Sequence, residues 1–576
     1  MKSLKCLKCL EYTCSVLIVA LLFSSCESFI DLQPLDQISA NDYWKSTNDL
    51  KNYTLQFYPA FVSYTEMVHA VANSDDMFRS NNLSDILNGN RSTRTGNWRG
   101  EWAIIRNVNI FFDNYRKCQN NFNEYQHYVG EVHFFRAWFY FNMLKQYGDL
   151  PWYSTALQLD SEELMNPRAP RTLIADSILM DLDKAIMYLD DRASAGNTRI
   201  NKEAALAFKT RVALYEGSWQ KYHANDPFGT SGADPSKYFR QCVEASEELI
   251  NGGYRVGIYS TGNPDEDYFK LFGFDDMSGI NEVLLYKAFN AADGFGNATQ
   301  AYIIDEPNSK GVTWDLVSSY LAKDGTPYDY LEAAQTVQGN DFLLRLATNV
   351  DSRFKSTVWI PGDLMSQALN IYFVAPNINA GVTQLCPTGF QVKKSGNPLA
   401  ENAGRPWTYP GNTGLIIFRY GEVLLNYAEA KYELDQTVAT AQLNLLRDRA
   451  GLPNFTVNSQ NSDPNRVDYG YPVSDALYEI RRERMVELAL EGLRDEDLMR
   501  WAAHALFKSK RPKGYPLSSI EHPSYVAAPL DNNGLIDYWA NLLPQGYRFR
   551  EGQDYLTSIP QDELTLNPNL IQNPGW

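Results

Sequence analysis

The chain has 576 residues, of which 13% are aromatic, and a formal net charge of −17. That length can bury a large core, as one big domain or as two to three ordinary ones. Acidity without any basic tract excludes a phosphate-tracking nucleic-acid binder and adhesion to an anionic membrane by charge alone.

Taken in chain order, the first element is a leader. Lys2, Lys5 and Lys8 precede an apolar run over residues 14–23, which is too short to span a bilayer. Small residues then lead to Cys26 in the string LFSSCE at 22–27. This pattern predicts an export signal over 1–25 with a lipobox-like cleavage site and an acylated Cys26. Phe23 stands where such boxes usually carry Leu, and the alternative is ordinary secretion with Cys26 as a bystander. Only Cys118, Cys242 and Cys386 follow, an odd and scattered set that predicts no disulfide framework.

Residues 131–147 (EVHFFRAWFYFNMLKQY) are apolar on nearly every side, the pattern of a helix buried over most of its circumference. Gly148 and Pro151 stop it. A second helix covers 172–189. A third, capped by Asn201, runs to a brake at Gly217, and a fourth covers 238–250. Short turns between such helices suggest stacked pairs of tetratricopeptide type. From about 255 to 413 Gly, Pro, Asn and Asp become frequent, and strand-like fragments at 282–286 and 370–374 stand among long loops of the kind that carry function. Helical pattern returns at 415–434, 441–450 and 475–491, before a loop-rich tail.

No constellation for catalysis stands out. Glu483, Glu487 and Glu491 share one helix face, but Arg481, Arg482, Arg484 and Arg494 are interleaved and can pair with them, which favours a structural network over a glycosidase pair. The six histidines are dispersed, with no zinc spacing. Gly294-Phe295-Gly296 lacks the strand-turn-helix context of a nucleotide site. The acids at 265–267 and 275–276 offer oxygen ligands for calcium or simply form solvated loops, and no other cofactor is expected.

Sugar binding needs a flat aromatic face for the C–H side of a pyranose and polar groups for its hydroxyl rim. Residues 88–102 (NGNRSTRTGNWRGEW) supply both, with Asn90, Arg91, Arg94, Asn97 and Trp98 in a Gly-rich loop. Trp102 and Ile105 fall at core spacing, whereas Trp98 either projects from the loop or staples it. In the middle region Phe295, Tyr302, Tyr328 and Trp407, the last beside Tyr409, stand in loops where aromatics have less packing to explain them.

Several blocks together resemble the SusD/RagB family of Bacteroidetes surface lipoproteins. They are CESFIDLQP at 26–34, YWKSTNDL at 43–50, FRAWFYFNMLKQYGDLP at 135–151, RYGEVLLNYAEA at 419–430, NLLRDRAGLP at 444–453, and IRRERMVELALEGLR at 480–494 followed by DLMRW at 497–501. Asp324-Gly325, Ile559-Pro560 and Asn567-Pro568 agree, while Ser352 stands where the family usually has Pro. The resemblance implies a mainly α fold: a tetratricopeptide-like helical-pair scaffold with a loop-rich, irregular ligand-binding region and minor β. The mature domain, 26–576, then divides into an N-terminal helical part (26–254), a binding insert (255–413) and a C-terminal helical part with tail (414–576). The resemblance implies further a non-catalytic lipoprotein on the outer membrane, facing the exterior. Its partners would be an oligosaccharide and a SusC-like TonB-dependent transporter. Peptide capture of the RagB type and a surface glycoside hydrolase are the alternatives. Asp76, beside Asp75, lies where family members often place an acid near the ligand; its other reading is a turn carboxylate.

Overall fold

A computed structural model describes residues 43–61, 74–93, 96–379 and 381–576. Cys26, the leader before it and Arg94 lie outside them. Helices of eight residues or more are numbered here: α1 (Thr47–Thr54), α2 (Trp98–Asn114), α3 (Phe122–Tyr147), α4 (Arg171–Tyr188), α5 (Lys202–Tyr222), α6 (Pro235–Asn251), α7 (Gly339–Asn349), α8 (Tyr420–Asp435), α9 (Thr440–Ala450) and α10 (Asp475–Glu487). The chain is mainly helical, and its scaffold is built of paired helices: α3 lies on α4, α4 on α5 and α5 on α6, with α8 returning against α5 and α6.

Local chemistry explains the boundaries. α3 starts nine residues before the all-apolar stretch because Asn121 and Glu124 form a capping box. Its rings Phe134 and Trp138 pack with Phe208 of α5 and with Phe418. Asn201 caps α5 by accepting from the Ala204 N–H at 2.9 Å. Gly217 does not stop α5, which continues to Tyr222. A Cβ there would lie 2.8 Å from the Phe239 ring, so this glycine lets α6 close against α5.

Three two-stranded antiparallel sheets supply the minor β. β1 (Met77–Arg79) pairs with β3 (Lys310–Val312), β2 (Val283–Lys287) with β6 (Leu415–Arg419), and β4 (Leu364–Ser366) with β5 (Ile371–Tyr372). The first residues of the helix expected at 415–434 are therefore strand. β-branched Ile416 and Ile417 favour it, and β2 offers the partner. The helices other than α7 share one core with the C-terminal segment. A second core lies under the loop-rich region, where Phe342, Trp359 and Phe390 meet Leu490, Tyr515 and Ile536.

α10 carries the acidic face read from the sequence, but it ends at Glu487, and Leu490 with φ +62° turns the chain away. The three glutamates still converge on cations, and these come from other elements. Glu483 accepts from Arg353 (2.6 Å) and Arg447 (2.9 Å). Glu487 accepts from Arg353 (2.9 Å), Arg419 (2.8 Å) and Arg449. Glu491 pairs with Arg419 and Lys394, each at 2.7 Å. The neighbouring arginines face elsewhere: Arg484 binds Asp497, Arg482 binds Asp463, Arg494 binds Asp75, and Arg481 stacks over Trp501. Burial alone would raise the Glu487 carboxyl; Arg449, Arg419 and Arg353 outweigh it and hold the group well below the usual carboxylate range.

Candidate functional site

Two loops of the middle region are stitched together at the surface. Residues 290–295 form a tight turn in which Asn290 and Phe295 exchange backbone hydrogen bonds of 2.6 and 2.9 Å. Asn297 and Gly411 then exchange a pair of 2.9 and 2.7 Å, and the Asn412 side chain accepts from the Ala291 N–H at 2.7 Å. Gly296 makes this close approach possible, since a Cβ on it would lie 2.7 Å from the Pro410 Cβ.

The stitched loops present rings. Phe295 is 54% exposed, Trp407 59% and Tyr409 54%. Phe295 stacks on Phe289 at 5.3 Å, with the planes 17° apart. Single exposed aromatics are ordinary, but three on two adjoining loops make a contact surface. Polar groups stand beside them: Asn290 donates to Asp293 at 2.6 Å, and the Arg405 guanidinium lies over the Tyr409 ring. Each ring offers a flat apolar face on which the C–H side of a pyranose could lie. From Asn297 the chain runs on through a single π-helical turn, Ala301–Asp305, that carries half-buried Tyr302, and enters β3.

The other sequence-predicted residues lie elsewhere. Asp76 is 2% exposed; it accepts from the Ser74 hydroxyl and the Leu490 N–H, and burial pushes its carboxyl up to about 6. Arg91 is buried against the C-terminal segment, donating to Thr557 at 3.0 Å and to the Asp554 carbonyl. Trp98 is 5% exposed and sits edge-on to Trp102 and Tyr147, at 5.4 and 5.0 Å. It forms part of the wall of a largely apolar cavity of about 710 Å³ between α2, the 151–165 loop and the helix Gln561–Leu566. Tyr328 is half-buried and accepts a 3.1 Å hydrogen bond from Arg345. The structure thus brings together Phe295 and Trp407, with Tyr302 on the same strand of chain, and separates the rest. Phe289 was not singled out in the sequence, although it stands two residues after β2, at the start of the aromatic loop.

The acidic loops are engaged with protein groups. Asp267 accepts from the Thr261 N–H at 2.8 Å and from its hydroxyl at 2.5 Å, Asp265 pairs with Lys355, and Asp276 accepts from the Ser278 N–H. Among the described residues no three His, Cys, Asp or Glu side chains group as a metal ion would need, and no helix is long and apolar enough to cross a membrane.

Paired helices that carry a loop-built face define a tetratricopeptide-like scaffold of the SusD kind. Residues 286–576 match the SusD family, and residues 29–214 match a family described as starch-binding and associating with the outer membrane. The chain belongs to the SusD/RagB family. It is 23% identical to SusD-like protein P2 of Formosa agariphila over 98% of this chain and all of the relative. Two crystal structures from Bacteroides fragilis share the fold. One is of a SusD-like protein (22% identity, TM-score 0.72, covering 94% of this chain and 100% of that one). The other is of a SusD-like carbohydrate-binding protein (21% identity, TM-score 0.71, covering 92% and 100%).

Proposed function

We propose that this chain is a non-catalytic receptor that captures oligosaccharides on the Phe295–Trp407–Tyr409 face and delivers them to a SusC-like TonB-dependent transporter. Lipid on Cys26 would hold it to the outer membrane, facing outward. The observation that carries the reading is the set of exposed rings on stitched loops in a SusD-family chain. The burial of Glu483 and Glu487 among arginines supports the non-catalytic part, because neither carboxylate can reach a glycosidic bond.

Calorimetric titration of the mature chain with neutral and acidic oligosaccharides tests it. Saturable glycan binding that weakens in Trp407→Ala and Phe295→Ala supports the reading. Binding of peptides but of no glycan turns the cargo to the peptide alternative. Release of reducing ends on prolonged incubation overturns the non-catalytic reading.

A further inference from the structure

The largely apolar cavity beside Trp98 shares no lining residue with the Phe295–Trp407–Tyr409 face. Its volume of about 710 Å³ lies within the range of ligand pockets, roughly 300–1,000 Å³. Trp98, Trp102 and Tyr153 give it a continuous aromatic wall, with ring centroids 5.4 and 5.1 Å apart along that row. Leu157, Leu159, Met165 and Leu566 carry the apolar lining outward, and the last three are at least half exposed. An apolar surface that opens to solvent in this way marks a site of contact.

The hydrogen-bonding groups around the cleft face the protein. On the loop that walls it, the Tyr153 and Thr155 carbonyls accept from the Asn109 side chain, each at 3.0 Å. The Ala156 carbonyl accepts from Gln158 at 3.3 Å, and the Leu157 carbonyl from the Arg106 Nε at 3.0 Å. The Leu164 carbonyl accepts from Asn567 at 3.0 Å. A peptide laid here would bury backbone groups with few partners, and an oligosaccharide would do the same with its hydroxyls. A hydrocarbon chain needs none.

One cation in the lining is open to a ligand. Arg106 is exposed, only its Nε is spent on Leu157, and no carboxylate among the described residues pairs with it. Arg99, the other cation of the lining, is taken by Asp562 and Glu563. The same helix, α2, receives the start of the described chain. Trp44 lies edge-on to Phe111 at 5.9 Å, and the Tyr53 hydroxyl donates at 2.9 Å to the carbonyl of Asn107, the neighbour of Arg106. Cys26 stands seventeen residues before Tyr43, a span of at most about 60 Å.

We infer that this cleft holds one acyl chain of a membrane lipid, with the anionic head of that lipid at Arg106. The site stands on its own geometry, and the membrane as source of the chain rests on the outer-membrane reading above. Lipid on Cys26 would keep α2 within reach of the leaflet. A net charge of −17 gives no general attraction to an anionic surface. Apolar contact therefore supplies the hold, and one guanidinium selects the head group. So seated, the scaffold turns α2 and the 151–165 loop toward the lipid.

The test uses the mature chain with Cys26→Ala, so that no lipid of its own is attached. Tryptophan fluorescence and calorimetry follow titration with lysophosphatidylglycerol, lysophosphatidylcholine and the peptide Leu-Leu-Lys-Leu-Leu, the lipids below their micelle-forming concentrations. Ala103→Phe fills the cleft from an exposed position of its lining, and Arg106→Gln removes the guanidinium. Leu566→Ser, also exposed, replaces Ala103→Phe should that variant fail to fold. The expected result is saturable binding of lysophosphatidylglycerol that falls at least about tenfold in Ala103→Phe, a loss of about 1.4 kcal/mol. Lysophosphatidylcholine should bind several-fold more weakly in the parent, and Arg106→Gln should close that gap. Phosphatidylglycerol vesicles should retain the parent on flotation and release Ala103→Phe. Equal lipid affinity in parent and cleft variant would overturn the site. Binding of the peptide in place of lipid would overturn the ligand class, and lysolipid binding without vesicle retention would overturn the membrane as source. Glycan titrations should be the same in parent and Ala103→Phe. Their failure in both, with lipid binding intact, would sink the capture reading and leave this site standing.

Discussion

The centre of the molecule and its loop face handle charge and aromatic surface in opposite ways. At α10 the buried glutamates are saturated by buried cations: Arg353, Arg419, Arg447 and Arg449 reach Glu483 and Glu487, and Lys394 reaches Glu491. The aromatics of the scaffold are likewise sealed, with Phe134, Phe208 and Phe418 fully buried. In the loop-rich region no carboxylate among the described residues comes within ion-pairing distance of Lys310, and Phe295, Trp407 and Tyr409 are more than half exposed. Satisfied groups stabilise a fold, and unsatisfied ones beside solvent are free to meet a ligand.

The strongest way to break this contrast is at Glu487. Replacing it with Gln strips the shared counter-charge from three buried arginines and should cost about 3–5 kcal/mol of stability, read from urea denaturation. A cost below about 1 kcal/mol would mean that the cluster does not behave as a closed ionic network.

Asp76 gives a pH-resolved test. Its folded value of about 6 lies above the ordinary 3.8, so the folded state binds the proton more tightly than the unfolded one. The stabilisation from this group is complete below about pH 4 and is lost as the pH rises through 6. Two units correspond to about 3 kcal/mol. Asp76→Asn should therefore stabilise the chain by up to that amount at pH 8 and by almost nothing at pH 4, in denaturation midpoints across that range. An effect that is the same at both pH values would place the carboxylate in solvent.

Trp407→Ala should do the reverse of Glu487→Gln. Binding should fall about tenfold in calorimetry, while stability changes by less than about 0.5 kcal/mol, as for other surface substitutions. Gly296→Ala is the mildest test. Its methyl group would press on Pro410 and part the two loops, weakening binding a few-fold and costing about 1 kcal/mol.

The scaffold was legible because helical periodicity, caps and the ordered blocks at 135–151, 419–430 and 480–494 all act locally or in register. The shifts came from contacts that no local pattern contains. Gly217 reads as a stop until Phe239 of α6 is placed beside it, and residues 415–419 read as helix until β2 pairs with them. Arg91 looked like a ligand residue in a polar loop, but residues 554–557, more than 450 positions downstream, fold over it. Asp76 and Trp98 are enclosed in the same way, by Leu490 and by Tyr147. The exposed rings were easier to find, because Phe295 and Trp407 stand in Gly- and Pro-rich stretches with no apolar periodicity to bury them. The burial of Lys310 carried no local signal, since it depends on what the fold places around β3.

The β2–β6 pair has one more consequence. Lys287 lies opposite Leu415, and Tyr286 opposite Ile416, so the whole loop-bearing excursion leaves and re-enters the scaffold through a single doorway. Exchange of everything beyond that doorway between relatives would leave the two ends already in place, with little added loop-closure cost. The second core sets the limit, because Tyr515, Leu517, Leu535 and Ile536 are its lodgers from the far end of the chain. A transplanted loop cassette would have to bring residues 515–536 along with it.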